Sequence, residues 1–361
     1  MPRILHTADW QLGLRLAFVP GDAGARLRRQ RFDTVEAIGR LAAQERVDAV
    51  VVAGDVFDDN GVGPDTLQQA REALRAFGDV PVVLLPGNHD PGTEDSALGR
   101  LGDVSPTVTV ALTPDPVRIR SLEIHPCPLL RRHSFDDPTA PLPERADPST
   151  VRVAVAHGGV LRFGEATETP NRIDPAAVLA RGFDYLALGD WHGVYRVDDR
   201  AWYAGAPEPT RFKEKRPGHV LLVELDGPGV LPRVREHPVA RSEWRQETFE
   251  FADDDDLERL EHWFDELAEP SRTLVELTLR GALSLGARAR LDERLEDYGA
   301  RLALLRLEAD EVVAAPSAAD LDALGAEGFL GSAAARLQVR EDPRDDDALR
   351  LMHRLLQEVR R

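Results

Sequence analysis

Five short strings of metal-binding residue types occur in this chain, each directly after a short apolar run. In chain order they are Asp9-Trp10-Gln11, Gly54-Asp55-Val56-Phe57-Asp58, Gly87-Asn88-His89-Asp90, Ala156-His157-Gly158 and Gly189-Asp190-Trp191-His192. Carboxylate, amide and imidazole groups are ligands of divalent ions. Two ions about 3.5–4 Å apart need one carboxylate to bridge them and an open position for water, and Asp55 is the natural bridge. Together the strings predict a two-metal hydrolase.

The apolar runs before these strings are predicted to be β-strands of a sheet covered by helices. They span residues 4–7, 49–53, 80–85, 151–155 and 185–188, and helical patterns lie between them at 25–45 and 64–77. Continuous apolar runs are typical of strands that are buried on both faces. Because ligands in such sheets sit beyond the carboxyl ends of the strands, we expect all five strings to converge along one sheet edge.

The strings GDVFD and GNHD, the His-Gly after a strand and the final Gly-x-x-His resemble the calcineurin-like metallophosphoesterase superfamily. Within it, HTADWQLG near the start and YAGAPEPTRF further on resemble the SbcD branch of DNA double-strand-break nucleases, which work with an SMC-type ATPase. The resemblance implies an α/β fold, a two-sheet metallophosphoesterase sandwich flanked by helices, with a small α+β capping domain and a C-terminal helical tail.

The resemblance also implies a set of ligands in which the two metal ions share Asp55. One ion would be held by Asp9, Gln11, Asp55 and His192, and the other by Asp55, Asn88, His157 and Asp190. His89 would contact phosphate and protonate the leaving oxygen, while the carboxylates of Asp58 and Asp90 would orient these groups.

Two residues depart from the family pattern. The first motif usually carries a histidine where this chain has Gln11, and the last carries one where this chain has Asp190. Both changes replace an imidazole nitrogen by an oxygen, so His157 and His192 remain as the nitrogen ligands. An oxygen-rich set favours Mn²⁺, with Mg²⁺ as the alternative, over zinc or iron. A degenerate, metal-poor site is the competing interpretation.

The net charge of −18 argues against strong binding of DNA by the chain as a whole, because phosphate contacts dominate such affinity. Local clusters of basic residues, and tryptophans inside the motifs, are nevertheless candidates for DNA contact: Arg26, Arg28, Arg29 and Arg31; Arg211, Lys213 and Lys215; Trp10 and Trp191. The basic clusters either hold a phosphate backbone or form solvated surfaces. The tryptophans either stack on a base or pack around the loops.

The chain is predicted to contain three regions: a nuclease domain at 1–240, a capping domain at 241–310, and a connector with a C-terminal helix at 311–361. Apolar residues on one face of that helix are Leu349, Met352, Leu355, Leu356 and Val359. The resemblance implies that the helix docks on the ATPase; the alternative is packing on the capping domain. Since the chain has no P-loop motif, any ATPase is a separate chain.

The predicted function is a metal-dependent DNA nuclease, with exonuclease or endonuclease activity, that acts with an SbcC-type ATPase in DNA end processing, repair or defence. The alternatives are a small-nucleotide phosphodiesterase and a catalytically weak scaffold protein that binds DNA ends. A homodimer is a further implication of the resemblance. One cysteine, Cys127, and the lack of an apolar run of membrane-spanning length predict a cytoplasmic protein.

Overall fold

A computed structural model of the chain describes residues 1–102, 104–160 and 170–314, together with 332, 333, 336, 348 and 351. The chain divides into two compact units, Met1–Ser242 and Glu243–Arg361. The predicted C-terminal helix lies outside the described residues except for isolated positions, so its docking role stays a prediction. No helix within the described ranges has both the length and the apolar character needed to cross a bilayer.

The first unit contains two six-stranded sheets. In spatial order, the strands of the first sheet are β12 (Arg233–Pro238), β11 (His219–Glu224), β1 (Arg3–Thr7), β2 (Ala49–Val52), β3 (Val82–Leu84) and β4 (Val108–Val110). Those of the second are β5 (Val117–Ile119), β6 (Leu122–Cys127), β7 (Val151–His157), β8 (Tyr185–Gly189), β10 (Ala201–Tyr203) and β9 (Tyr195–Asp198). Strands β1–β4 are parallel, as are β6, β7, β8 and β10.

Helices cover the outer faces of both sheets, and the inner faces pack on each other. The helices of this unit are α1 (Gly21–Gln44), α2 (Pro64–Leu74), α3 (Ala97–Leu101) and α4 (Pro175–Ala180). Alternate side chains of β1 and β2, such as Leu5 and Val50, join the core under α1 and α2. Their neighbours Ile4 and Val51 join Val153 of β7 in the core between the sheets. The expected α/β two-sheet sandwich flanked by helices is therefore confirmed.

The two sheets come into backbone contact at the carboxyl ends of β2 and β8. A Cβ atom on Gly54, which has a φ of +90°, would lie 2.2 Å from Nδ1 of His157. A Cβ atom on Gly189 would lie 1.9 Å from the carbonyl oxygen of Ala53. In the space left by these glycines, Nδ1–H of His157 donates a hydrogen bond of 2.8 Å to Ala53 O. Any larger side chain at these positions would separate the sheets.

The second unit alternates strands and helices. Within residues 243–314, its elements are β13 (Glu243–Phe251), α5 (Asp256–Asp265), β14 (Thr273–Leu283), α6 (Leu285–Arg301) and β15 (Leu304–Ala314). The three strands are parallel, in the order β13-β14-β15. Exposed charged residues interrupt the apolar pattern along β13. A capping role for this unit stays a prediction.

We predict that Gly54→Ala lowers the free energy of unfolding by about 2–4 kcal/mol, since the methyl group meets the His157 ring and the backbone keeps a left-handed φ. Urea denaturation followed by tryptophan fluorescence measures the change. Gly63→Ala is the control, because nothing lies within 4 Å of a Cβ there and its φ is −76°. Equal stability of the two variants would contradict the inferred sheet contact.

Candidate metal centre

The predicted ligands come from the ends of strands in both sheets rather than from one sheet edge. From the first sheet, the loops after β1, β2 and β3 provide Asp9, Gln11, Asp55 and Asn88. From the second sheet, the end of β7 and the loop after β8 provide His157, Asp190 and His192. The expectation of a single edge is corrected here, because chain order does not reveal that β7 and β8 pair in a separate sheet.

One group of predicted ligands surrounds Nε2 of His157. This nitrogen lies 3.0 Å from Oδ1 of Asn88, 3.5 Å from Oδ1 of Asp55 and 3.8 Å from Oδ1 of Asp190. Because Nδ1 of the ring donates to Ala53 O, Nε2 is the nitrogen that carries a lone pair in the neutral ring. The structure thus brings together the four side chains that the resemblance assigns to one ion.

A second group surrounds Nε2 of His192. The amide nitrogen of Gln11 lies 3.3 Å from it, and Oδ1 of Asp9 lies 4.0 Å from it. Asp9, Asp55 and His157 each offer a ligand atom, and these three atoms lie within 4.8 Å of one another. Asp9 and Asp55 therefore connect the two groups, although their assignment as ligands stays a prediction.

The backbone is strained at four of the predicted ligands. The φ angles are +53° at Asp9, +45° at Gln11, +51° at Asp55 and +101° at Asp190. Left-handed backbone costs a non-glycine residue roughly 1–2 kcal/mol. Such strain persists where surrounding contacts enforce it, and it concentrates at functional sites. Here Asp9 N–H donates to Gly54 O and Gln11 N–H to Asp55 O, which ties the loop after β1 to the loop after β2.

Asp90 holds two motif loops together through backbone hydrogen bonds. Its fully buried carboxylate accepts from Gly87 N at 2.7 Å and from Phe57 N at 3.0 Å. Burial, followed by the charge of Asp55, raises the pKa of Asp90 well above its usual value. Asp90 is therefore placed to shape the loops that present Asp55 and Asn88, so its predicted orienting role would act through the backbone of those loops.

The imidazole ring of His89 is hydrogen-bonded to a backbone carbonyl group, whereas its main chain is hydrogen-bonded to a carboxylate. Its Nδ1–H donates to the carbonyl oxygen of Asp58 at 2.8 Å, and its own backbone N–H donates to Oδ1 of Asp55 at 2.9 Å. The predicted contact with phosphate would therefore use Nε2, and it stays a prediction. The Asp58 carboxyl is half-buried; burial raises its pKa, and the nearby His89 opposes that rise. Asp58 contacts the His89 ring through its carbonyl group, and the orienting role of its carboxylate stays a prediction.

The donor groups fit divalent ions in chemistry and spacing. Two ligand atoms that each lie about 2.1 Å from an ion, at adjacent octahedral positions, are about 3.0 Å apart, close to the separations around His157.

Burial and the charges of Asp55 and Asp190 raise the pKa of Asp9 to about 6, against the opposing effect of both histidines. Burial alone would lower the pKa of His157, but the surrounding carboxylates raise it to about 9.

The candidates for DNA contact divide into buried and exposed residues. Only 1% of Trp10 is exposed; it stacks on Phe77 and donates to Thr7 Oγ1, so the predicted DNA contact for Trp10 is wrong and packing is its role. Arg31 is also buried, where it donates to the carbonyl oxygens of Trp10 and Pro209. The other arginines of that cluster, whose DNA role stays a prediction, are exposed on α1: Arg26, Arg28 and Arg29.

A cleft of about 420 Å³ opens beside the second group of ligands. Its walls include Trp191, which is 53% exposed, and the predicted basic residues of the later cluster. These are Arg211, Lys213 and Lys215. The structure thus brings the exposed tryptophan and this basic cluster next to the predicted ligands Asp190 and His192.

Sequence analysis missed Glu214. Its Oε1 atom lies 2.5 Å from Nδ1 of His192, and its Oε2 atom accepts from the backbone N–H of Thr210 at 2.8 Å. No motif marks this residue, because its contact with His192 depends on how a loop folds back over the site. Its position between the only two lysines, Lys213 and Lys215, is the one signal that singles out the segment.

The family model described as calcineurin-like phosphoesterase matches residues 2–224. The chain is 30% identical to the DNA double-strand break repair protein Mre11 of Aeropyrum pernix, over 63% of this chain and 59% of that protein. It is 41% identical to the SbcD component of the nuclease SbcCD of Bacillus subtilis, over 24% of this chain and 22% of that protein. These relatives confirm the resemblance to SbcD-type proteins, although the chain spans less than two thirds of their lengths.

We predict that metal affinity rises with pH between about 6 and about 9. A ligand carboxylate must be ionised and a ligand imidazole neutral, yet in the metal-free protein Asp9 is protonated below a pKa of about 6 and His157 below about 9. Binding at pH 7.5 should therefore release about one proton, chiefly from His157. Calorimetric titration with Mn²⁺ in buffers of different ionisation enthalpy measures the release. An affinity that falls with rising pH would contradict this assignment.

Proposed function

The chain belongs to the calcineurin-like phosphoesterase family, and on that basis we propose that it is a manganese-dependent nuclease that hydrolyses phosphodiester bonds at DNA ends. The observation that carries the proposal is the convergence of both ligand groups beside a cleft lined by Trp191 and basic side chains. The names of its relatives, a DNA double-strand break repair protein and a component of a nuclease, support DNA as the substrate.

Two divalent ions at this site would provide a deprotonated water and neutralise charge on the phosphate oxygens. The ligand groups contain two imidazoles, His157 and His192, and otherwise offer oxygen atoms. Oxygen donors suit Mn²⁺ and Mg²⁺, whereas nitrogen and sulfur donors favour zinc. We therefore propose Mn²⁺ as the working ion.

His89 is proposed as the general acid. Its Nδ1 is fixed by the carbonyl oxygen of Asp58, and its main chain is fixed by Asp55, so the ring has a defined orientation at the predicted bridging carboxylate. A protonated Nε2 can then donate to the oxygen that leaves phosphorus. Leaving alkoxides need such a proton, and a positioned acid contributes typically 10²–10⁴-fold to the rate.

The cleft supports binding of a nucleic-acid strand. Lys213, Lys215 and Arg211 are exposed along it and can contact phosphates, while Trp191 offers a ring face for a base. Stacking on an aromatic side chain contributes about 1–3 kcal/mol per base. The net charge of −18 argues against strong DNA binding by the chain as a whole. At this site, however, DNA would contact the basic side chains of the cleft.

An SbcC-type ATPase is proposed as the partner, since one relative is named as a component of SbcCD. The apolar face predicted around Leu349 and Leu356 is the proposed docking segment. We also propose that the protein acts in DNA end processing, in repair or defence, and that it forms a homodimer.

We expect the purified protein to cleave a labelled duplex with free ends in the presence of Mn²⁺. Asp55→Ala should abolish cleavage. His89→Ala should slow cleavage of DNA by about 10²–10⁴-fold, yet slow release of p-nitrophenolate from thymidine 5′-(p-nitrophenyl phosphate) far less, because that leaving group needs no proton. Equal losses on both substrates would argue against His89 as the acid.

The same assay distinguishes the alternatives. Turnover of p-nitrophenyl or cyclic phosphodiesters without DNA cleavage would favour a small-nucleotide phosphodiesterase. Absence of hydrolysis with Mn²⁺ and the ATPase both present, together with recovery in the Gln11→His/Asp190→His double variant, would favour a scaffold protein.

We further predict that Lys213→Ala/Lys215→Ala weakens binding of a single-stranded oligonucleotide and lowers the slope of log affinity against log salt by about 1 per lysine. Fluorescence anisotropy at several salt concentrations, in EDTA, measures both quantities. The control Arg118→Ala/Arg120→Ala removes the same charge from an exposed hairpin away from the cleft. If the two double variants bind alike, the cleft is not the contact surface.

A further inference from the structure

The segment from Thr210 to Lys215 presents two sets of side chains. Arg211, Lys213 and Lys215 are exposed and line the cleft. Glu214, by contrast, has 8% of its side chain exposed and points at His192. The Glu214 carboxylate is thus directed to a predicted metal ligand, while the lysines on either side of it are exposed.

The contact with His192 is built from several hydrogen bonds. The Nδ1–H group of His192 donates to Glu214 Oε1 at 2.5 Å and lies 3.1 Å from Thr210 Oγ1. The Thr210 hydroxyl donates to the same carboxylate oxygen, and the Thr210 backbone N–H donates to Oε2 at 2.8 Å. Thr210 therefore donates a hydrogen bond to each carboxylate oxygen of Glu214, and this fixes the carboxylate that accepts from the His192 imidazole.

We propose that Glu214 is the positioning residue of His192. By accepting the Nδ1–H proton it selects the tautomer whose Nε2 lone pair faces Gln11 and Asp9, and its charge makes that nitrogen a better donor. The inference rests on the ligand role of His192 in the proposed function, but it does not depend on DNA cleavage.

The orientation of His192 matters because Gln11 leaves its group with one nitrogen ligand. The amide of Gln11 is neutral and a weaker donor than the imidazole that usually occupies this place in the family. The group around His157 has its own orienting contact, from His157 Nδ1 to Ala53 O, which is a neutral carbonyl. Of the two imidazoles, His192 is the one oriented by a carboxylate, so Glu214 supports the one nitrogen ligand that this group contains.

Calorimetric titration of the metal-free protein with Mn²⁺ tests the proposal without any nucleic acid. We expect Glu214→Ala to weaken binding at the His192 site by about 10–100-fold. Glu214→Gln keeps an oxygen that accepts from Nδ1–H but lacks the charge, so its loss should be smaller. Glu236→Gln is the matched control, because Glu236 pairs with Arg216 at the surface; its Mn²⁺ affinity should equal that of the wild type.

A second measurement separates positioning from general stability. The ¹⁵N shifts of the His192 ring in the metal-free protein should report the Nδ1–H tautomer in the wild type and in Glu214→Gln, and a shift toward the Nε2–H tautomer in Glu214→Ala. Unchanged Mn²⁺ affinity in both Glu214 variants would overturn the inference while leaving the proposed nuclease intact. Wild-type protein that binds no Mn²⁺ would overturn both.

Discussion

The backbone contact between the two sheets at Gly54 and Gly189 is the constraint on which the candidate centre depends. Each sheet alone carries an incomplete group of predicted donors: carboxylates and amides on the first, and both histidines together with Asp190 on the second. The hydrogen bond from His157 to Ala53 O crosses the boundary within this contact, so the same atoms that set the distance between the sheets also orient an imidazole. The contact that packs the two sheets against each other therefore also brings the predicted ligands together.

The buried carboxylates of the site differ from other buried carboxylates of the unit in the groups that surround them. Buried Asp184 is paired with Arg145 at 2.7 Å, and buried Glu208 accepts hydrogen bonds from Thr34 and Ser242. At Asp9, by contrast, the groups that oppose its raised pKa are the imidazoles of the two predicted histidine ligands. Burial of charge without stronger compensation is costly, and the charge of divalent ions would offset that cost.

Much of the arrangement follows from the sequence. Each motif comes directly after a strand, and parallel strands deliver their carboxyl ends to one side, which is why convergence was predictable. The division of the strands between two sheets was not, because periodicity shows that a strand is buried but not which strand it pairs with. Local sequence also could not separate Trp10, which faces the core, from Trp191, which faces solvent. Glu214 escaped prediction because its contact with His192 joins residues 22 apart through an irregular loop.

The alternation along residues 210–215 has a consequence for how such a protein diversifies. Under the proposed roles, side chains at alternate positions of this short stretch serve different tasks, so changes at Arg211, Lys213 or Lys215 would alter the preference for polyanions while the inward carboxylate is kept. Selection on ligand preference and selection on cofactor retention then act on interleaved but separable positions. A library could therefore randomise positions 211, 213 and 215 while Glu214 and Thr210 are left unchanged.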